Sequence, residues 1–237
     1  MFFDSTYLML ALFGLVLTGL PQLWVRSTYK HFTQVPVRSS LSGADVARKI
    51  LAANNISDVC VESTPGELSD HYDPRDKVVR LSQDIYHGKS ISALGIAAHE
   101  VGHAIQDNKG YLPMKIRSGL FPTVMLGQML GPWLMIIGIM LRSASGFGFG
   151  DQIAIIGLVF YASVFVFQLV TLPVEINASQ RAIKALASGG YLVEGEEISG
   201  GKKVLTAAAF TYIAAALYSL LELAYWAWRV FGSRQRD

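Results

Sequence analysis

The chain has 237 residues, 51% hydrophobic and 16% charged, with a formal net charge of +2 and a mean hydropathy of +0.36. A soluble domain is typically about 25% charged; here the deficit is local, because residues 5–25, 118–141, 152–174 and 204–221 contain no Asp, Glu, Lys or Arg. Stretches near the ~20 apolar residues that cross a hydrocarbon layer exclude a purely soluble, disordered or collagen-like chain, the small net charge argues against a dedicated nucleic-acid binder, and the single Cys60 excludes both a disulfide framework and a Cys-rich zinc site.

The first stretch has Asp4 before it and Arg26, Lys30 and Arg38 after it. A secretory signal wants basic residues first and a small-residue cleavage site last, so residues 5–25 are expected to be a retained transmembrane helix with its N-terminus outside the cell. Residues 26–117 then form the main soluble domain. Ser42 and Asp45 suit the cap and first turn of a helix whose apolar face is Val46, Ile50 and Leu51 and which ends at Asn54-Asn55. Val59–Glu62 and Lys77–Leu81 are rich in β-branched residues and predict short strands. Between them the polar run Ser63–Asp76, with Pro65-Gly66 and Asp73-Pro74, predicts a turn-rich connection. Cys60 is expected to fill core space in the first strand. A long helix is predicted over about 90–108.

On that helix stands His99-Glu100-Val101-Gly102-His103. Histidines at i and i+4 lie on one helix face, so two imidazoles can bind one Zn²⁺, with Glu100 beside it as general base. With 5 His and 8 Glu in the chain, chance would produce this motif roughly 0.003–0.004 times. Ala97-Ala98 before it and Ala104-Ile105 after it predict a buried helix, where histidines without ligands would be costly. Gly102 is expected to leave space beside the metal. A catalytic zinc needs a third protein ligand and an open position. Gln106 and Lys109 stand where a longer zinc motif would continue with Gly and His, so the third ligand must come from elsewhere.

The remaining spans suggest where. Residues 118–141 contain Pro122, Pro132 and a Gly127/Gly131 pair that would let another helix approach closely. The Gly/Ser-rich segment 142–151 is a short turn, so 118–141 and 152–174 form an antiparallel hairpin. Glu175, directly after it and at the head of a helix-like run to Leu186, therefore emerges on the same side as His103 and is the expected third ligand. Residues 175–203 are a cytoplasmic helix and loop that complete the site. The last helix is expected over 204–230, ending in an interfacial belt of Tyr225, Trp226 and Trp228. Basic residues place both long loops in the cytoplasm if all four segments cross. Four crossings would put the tail, with Arg229, Arg234 and Arg236, outside against that rule, so either the tail is an exception or the fourth helix does not fully span.

Several of these segments carry a resemblance. Ser42-Gly43-Ala44, Leu68–Pro74, Arg80-Leu81-Ser82, Ala97–Gln106 and Leu172–Ser179 resemble the YugP-type neutral zinc metallopeptidases of bacterial membranes over almost the whole chain. More distantly, the arrangement is similar to the HtpX-like and CAAX-processing membrane peptidases. The resemblance implies a mainly α membrane protein: four transmembrane helices plus a small α+β zincin-like, gluzincin-type catalytic domain. It also implies a multi-pass protein of the bacterial plasma membrane. The wider group often has Asp four residues after its ligand glutamate; here that position is Ser179, which leaves Asn177, Ser179 and Asp107 as candidates to orient the zinc histidines.

Together these features predict a zinc metalloendopeptidase with its site on the cytoplasmic side, Zn²⁺ held by His99, His103 and Glu175, and Glu100 as base. Its substrates would be membrane-associated or misfolded polypeptides; its partners are the lipid bilayer and either a second copy or another membrane protein, with no nucleic acid. His71, with Tyr72, is positioned to stabilise an oxyanion or to serve as a turn residue. Arg181 is positioned to bind substrate or a lipid phosphate. The alternative is a zinc-binding membrane scaffold or adaptor with little turnover; a transporter would require ionisable residues within the spans, and the four stretches have none, leaving Glu222 alone as weak support.

Overall fold

The computed structural model describes residues 4–142 and 148–232. These form α1 (Ser5–Thr33), α2 (Gly43–Ala53), β1 (Cys60–Thr64), β2 (His71–Asp73), β3 (Val78–Ser82), α3 (Gln83–His87), α4 (Ile91–Asn108), α5 (Leu112–Met140), α6 (Phe149–Ser188) and α7 (Glu196–Phe231). The protein is thus mainly helical with one small sheet, and α1, α5, α6 and α7 are long and apolar enough to cross a membrane. Each of the four helices extends beyond its uncharged stretch: α1 takes in Arg26 and Lys30, α5 begins before Lys115 and Arg117, α6 runs on through Pro173 and Glu175, and α7 begins at Glu196. Lys, Arg and Glu are good helix formers, so absence of charge marks the lipid-compatible part of a helix and not its ends.

The chain divides into two compact units. One comprises Met1–Leu20, Ile116–Leu172 and Tyr212–Asp237. Its α5 and α6 meet closely through glycines, as the Gly127/Gly131 pair predicted. A Cβ on Gly127 would lie 2.6 Å from Ser163 Oγ, and one on Gly157 would lie 2.7 Å from the Met135 nitrogen. Met135, Ala154, Tyr161, Val164 and Trp226 pack the interior, while Leu8, Leu12, Val159 and Leu169 point outward, as suits a lipid-facing surface.

Polar groups of this unit gather at one end. Asp4, just before α1, pairs with Arg229 near the end of α7 at 3.3 Å. Arg142, just after α5, pairs with Asp151 at the start of α6 at 3.0 Å and donates to the Val230 carbonyl. The start of α1, the end of α5, the start of α6 and the end of α7 thus lie together. Of the expected turn, residues 143–147 lie outside the described residues, as do Arg234 and Arg236.

The second unit comprises Pro21–Lys115 and Pro173–Thr211. Its α2 begins with the predicted cap, in which the Ser42 hydroxyl accepts from the Asp45 amide while the Asp45 carboxylate accepts from the Ser42 amide. Such a reciprocal box satisfies two donors that the first helical turn leaves open. The sheet has the order β1-β3-β2, with β1 parallel and β2 antiparallel to β3. Strands β1 and β3 fall where predicted, whereas β2 lies inside the run expected to be a turn-rich connection. Cys60 is exposed, contrary to the expected core role, because β1 is an edge strand. Helix α4 runs through the centre of this unit, with Ala97, Ala98, Val101, Ala104 and Ile105 all buried. Two ties hold its ends. The Ser92 hydroxyl donates to the Tyr29 carbonyl of α1, and Asp107 accepts from Tyr72 of β2 at 2.8 Å and from Lys77 at 2.6 Å.

Candidate metal centre

Helical spacing puts His99 and His103 of α4 on one face, with ring centroids 4.8 Å apart and planes at 85°. Glu175 of α6 comes to meet them. Its Oε2 lies 3.2 Å from His99 Nε2 and 3.5 Å from His103 Nε2. One potential ligand atom from each of the three residues lies within 4.8 Å of the other two. Glu175 is only 2% exposed and His103 8%. Two imidazole nitrogens and one carboxylate oxygen, converging in a mostly buried place, are the donor set of a catalytic zinc with one position left open, so the residues present fit that ion.

The approach depends on Gly102. A Cβ there would lie 2.7 Å from the Ala178 carbonyl oxygen and 3.1 Å from its Cα, so any side chain would push α6 and Glu175 away. The glycine makes room for a backbone, not for the metal as its position in the motif suggested. On α6, Ala178 faces Gly102, while Glu175 and Ser179, four residues apart, face the histidines.

The electrostatics follow from this geometry. Burial pushes the Glu175 carboxyl up, but hydrogen bonds from His103 and His99 outweigh it and hold the group well below the usual carboxylate range. For His103, burial opposes protonation, yet the Glu175 hydrogen bond and the nearby charge of Glu100 more than offset it and raise the imidazole above its ordinary value.

Of the candidates for orienting the histidines, Ser179 Oγ lies 3.2 Å from His99 Nδ1. Asn177 instead touches Gln106 and Arg181, and Asp107 ties α4 to the strands. The residue that contacts His103 is Gln106, its Oε1 3.0 Å from His103 Nδ1. Sequence reasoning passed over it except as a missing ligand, although a polar side chain three residues beyond His103 on an otherwise apolar helix was a usable signal.

Glu100 is 9% exposed. Among the described residues it makes no hydrogen bond to another protein group, which leaves its carboxylate available. His71 lies exposed on β2, with Nδ1 2.8 Å from the Ser69 carbonyl, and is not in the cluster. The Tyr72 hydroxyl is engaged by Asp107; burial and that carboxylate push it well above the ordinary phenol value. The Arg181 Nε donates to Asn177 Oδ1 at 2.7 Å, so it too stands outside the cluster. Asp70, not singled out from the sequence, accepts from the Ser82 amide at 2.8 Å. Burial pushes its carboxyl up, and the charge of Glu100 adds to the rise.

Helices of membrane length together with a buried His–His–Glu cluster define a membrane protein equipped to bind a metal ion. The profile of the family described as "Putative neutral zinc metallopeptidase" matches residues 7–230. The chain is also 44% identical over 217 residues to "Putative membrane protease YugP" of Bacillus subtilis (strain 168), a match covering 92% of this chain and 93% of that protein. The chain belongs to this zinc metallopeptidase family. No solved structure matches it.

Two outcomes follow from the geometry. Gly102→Ala is expected to lower stability by about 1–3 kcal/mol and to reduce bound zinc, read by thermal melting and by metal analysis of the purified protein. In protein stripped of metal by a chelator, the depressed Glu175 contributes stability that is present above about pH 4.3 and lost as pH falls from there. The raised His103 contributes stability that is full below about pH 6.5 and lost as pH rises past its folded value. Stripped protein should therefore be most stable between about pH 4.5 and 6.5, and added zinc should raise the melting temperature most above that window, where no proton competes for the imidazoles. Melts in detergent across pH 4–9, with and without zinc, check both.

Proposed function

We propose that the protein is an integral-membrane zinc endopeptidase of the HExxH-plus-glutamate type, in which His99, His103 and Glu175 hold Zn²⁺ and Glu100 is the general base. The observation that carries this reading is the convergence of Glu175 on His99 and His103, from 72 positions beyond His103, with Glu100 on the same helix as both histidines. A family described as zinc metallopeptidase and a relative named a membrane protease support it.

Bound Zn²⁺ supplies Lewis acidity, polarising a peptide carbonyl and making a coordinated water easier to deprotonate. The chain supplies the proton transfers. Glu100 takes a proton from the water that attacks the carbonyl carbon. It then delivers that proton to the leaving amine as the C–N bond breaks, so that one carboxylate serves both halves of the reaction. The zincin-like character of the second unit rests on the sheet packed beside the metal-bearing helix.

In this reading the enzyme is multi-pass, lies in the bacterial plasma membrane, and has its site on the cytoplasmic side. The basic residues of the two long loops support that orientation, and one of the tail's three arginines, Arg229, is paired with Asp4. A site beside membrane helices suits polypeptides that are membrane-associated or misfolded.

Glu100→Gln is expected to retain one zinc per chain while hydrolysis of a casein or peptide substrate falls at least about 100-fold. Unchanged hydrolysis in that variant would overturn the assignment. Glu175→Ala should leave well under one zinc per chain by metal analysis. Full retention would move the third ligand elsewhere, and wild-type protein that binds zinc but cleaves nothing would favour the scaffold.

A further inference from the structure

A neutral imidazole carries its proton on one nitrogen only, and the other offers the lone pair. Which nitrogen of His103 faces the cluster as an acceptor is therefore a question about its neighbours, and a chain of four side chains and one carbonyl answers it. The guanidinium of Arg181 can only donate, so the Asn177 atom 2.7 Å from its Nε is the amide oxygen. That oxygen and the Val174 carbonyl oxygen both accept, and both lie beside the same end of the Gln106 amide, at 3.1 and 2.8 Å. That end must be the NH₂ group. The Gln106 oxygen is thereby turned to His103 Nδ1 at 3.0 Å, and an amide oxygen only accepts.

We infer that Gln106 is a positioning residue: it holds the proton of neutral His103 on Nδ1 and so presents the Nε2 lone pair to the metal cluster. Gln106 is fully buried at 0% exposure, with its two ends engaged on α4 and α6, so the amide has no water to turn towards. The same side chain anchors α4 to the carbonyl of Val174, the residue before Glu175. His99 differs. Its Nδ1 faces the Ser179 hydroxyl, which can donate or accept and so imposes no tautomer. The orienting function that a carboxylate serves at many zinc sites is here carried by an uncharged amide, whose direction is set from Arg181. This also gives Arg181 work to do without contact with the metal.

The inference rests on the proposed zinc site, and its test separates the two. Zinc affinity of the full-length protein in detergent is measured by competition with a chromophoric chelator for wild type, Gln106→Met, Gln106→Glu and Ser179→Ala. Both Gln106 variants lose the hydrogen bond to the Val174 carbonyl, but only the glutamate keeps an acceptor for His103. Gln106→Met is expected to weaken zinc binding about 10–100-fold. Gln106→Glu should bind more tightly than Gln106→Met even where its melting temperature is lower, and Ser179→Ala should have a smaller effect than Gln106→Met. A helix clamp without an orienting role would weaken both Gln106 variants equally, and that result, or unchanged affinity in Gln106→Met, overturns the inference.

A second measurement needs no variant of Gln106 and no metal. The ¹⁵N spectrum of histidine-labelled, zinc-free wild type, recorded at a pH raised until His103 keeps a single ring proton and with His103 assigned by its absence in His103→Asn, should show that proton on Nδ1. A proton on Nε2 overturns the inference. Wild type that binds no zinc but shows the Nδ1 proton would instead overturn the proposed site and leave the orientation of His103 standing.

Discussion

The metal cluster depends on how closely two backbones approach. Packed helices ordinarily sit 8–10 Å apart, held off by the side chains between them, and a closer approach brings a carboxylate on one helix within reach of two imidazoles on the other. At Gly102 there is no side chain between α4 and α6, and the Ala178 backbone fills the place a Cβ would occupy. Small residues continue the seam, with Ala98 on α4 and Ala178 and Ala182 on α6 all buried. The seam is then pinned on both sides of the glycine by polar contacts from α6: Ser179 to His99 and the Val174 carbonyl to Gln106. Small residues set the distance, and the hydrogen bonds set the register.

What could be read from the chain beforehand follows from which interactions are local. The α2 cap, the position of α4 and strands β1 and β3 rest on neighbours within a few residues, and their patterns show directly. The pairing of Glu175 with the histidines was legible as well, because a hairpin of two apolar stretches constrains where its ends emerge. Strand β2 was not legible. His71-Tyr72-Asp73 is too short for its alternation to register as a pattern and is a strand because β3 supplies its ladder. The exposure of Cys60 depends on β1 being an edge, and the purpose of Gly102 on a backbone 76 positions further along. Gln106 is the fullest case: its two ends are fixed by a carbonyl 68 positions away and by a histidine three positions away. Only the second of those is visible on a helical wheel.

In the other unit, charges that look misplaced in a tally along the chain turn out to be paired in space. The rule that counts Lys and Arg near span ends treats each as free to interact with the membrane field. Arg229 and Arg142 are instead held by Asp4 and Asp151, all four at the end where the first and last helices of the unit meet the hairpin. Glu222, which interrupts the last apolar stretch, accepts a hydrogen bond from the Tyr161 hydroxyl. A carboxyl on an otherwise apolar helix has few alternatives to an internal partner, and α6 supplies that partner.

At the cluster, the orientation inferred for His103 decides which atoms face one another. With Nδ1 of His103 donating to Gln106, its Nε2 turns a lone pair towards Glu175 Oε2, which also has only lone pairs to offer at 3.5 Å. Two acceptors at that distance, in a place nearly closed to water, repel each other unless a positive centre lies between them. A proton can fill that role for one imidazole, which is why His103 holds a proton more readily than burial alone would allow. His99, whose Ser179 contact imposes no tautomer, can direct a proton of its own from Nε2 to the same carboxylate oxygen. With both imidazoles deprotonated at Nε2, the same three side chains, whose ligand atoms lie within 4.8 Å of one another, can offer three lone pairs to one centre that accepts from several directions. That is the property separating a metal ion from a proton, and the Gly102 seam brings the third lone pair within its reach.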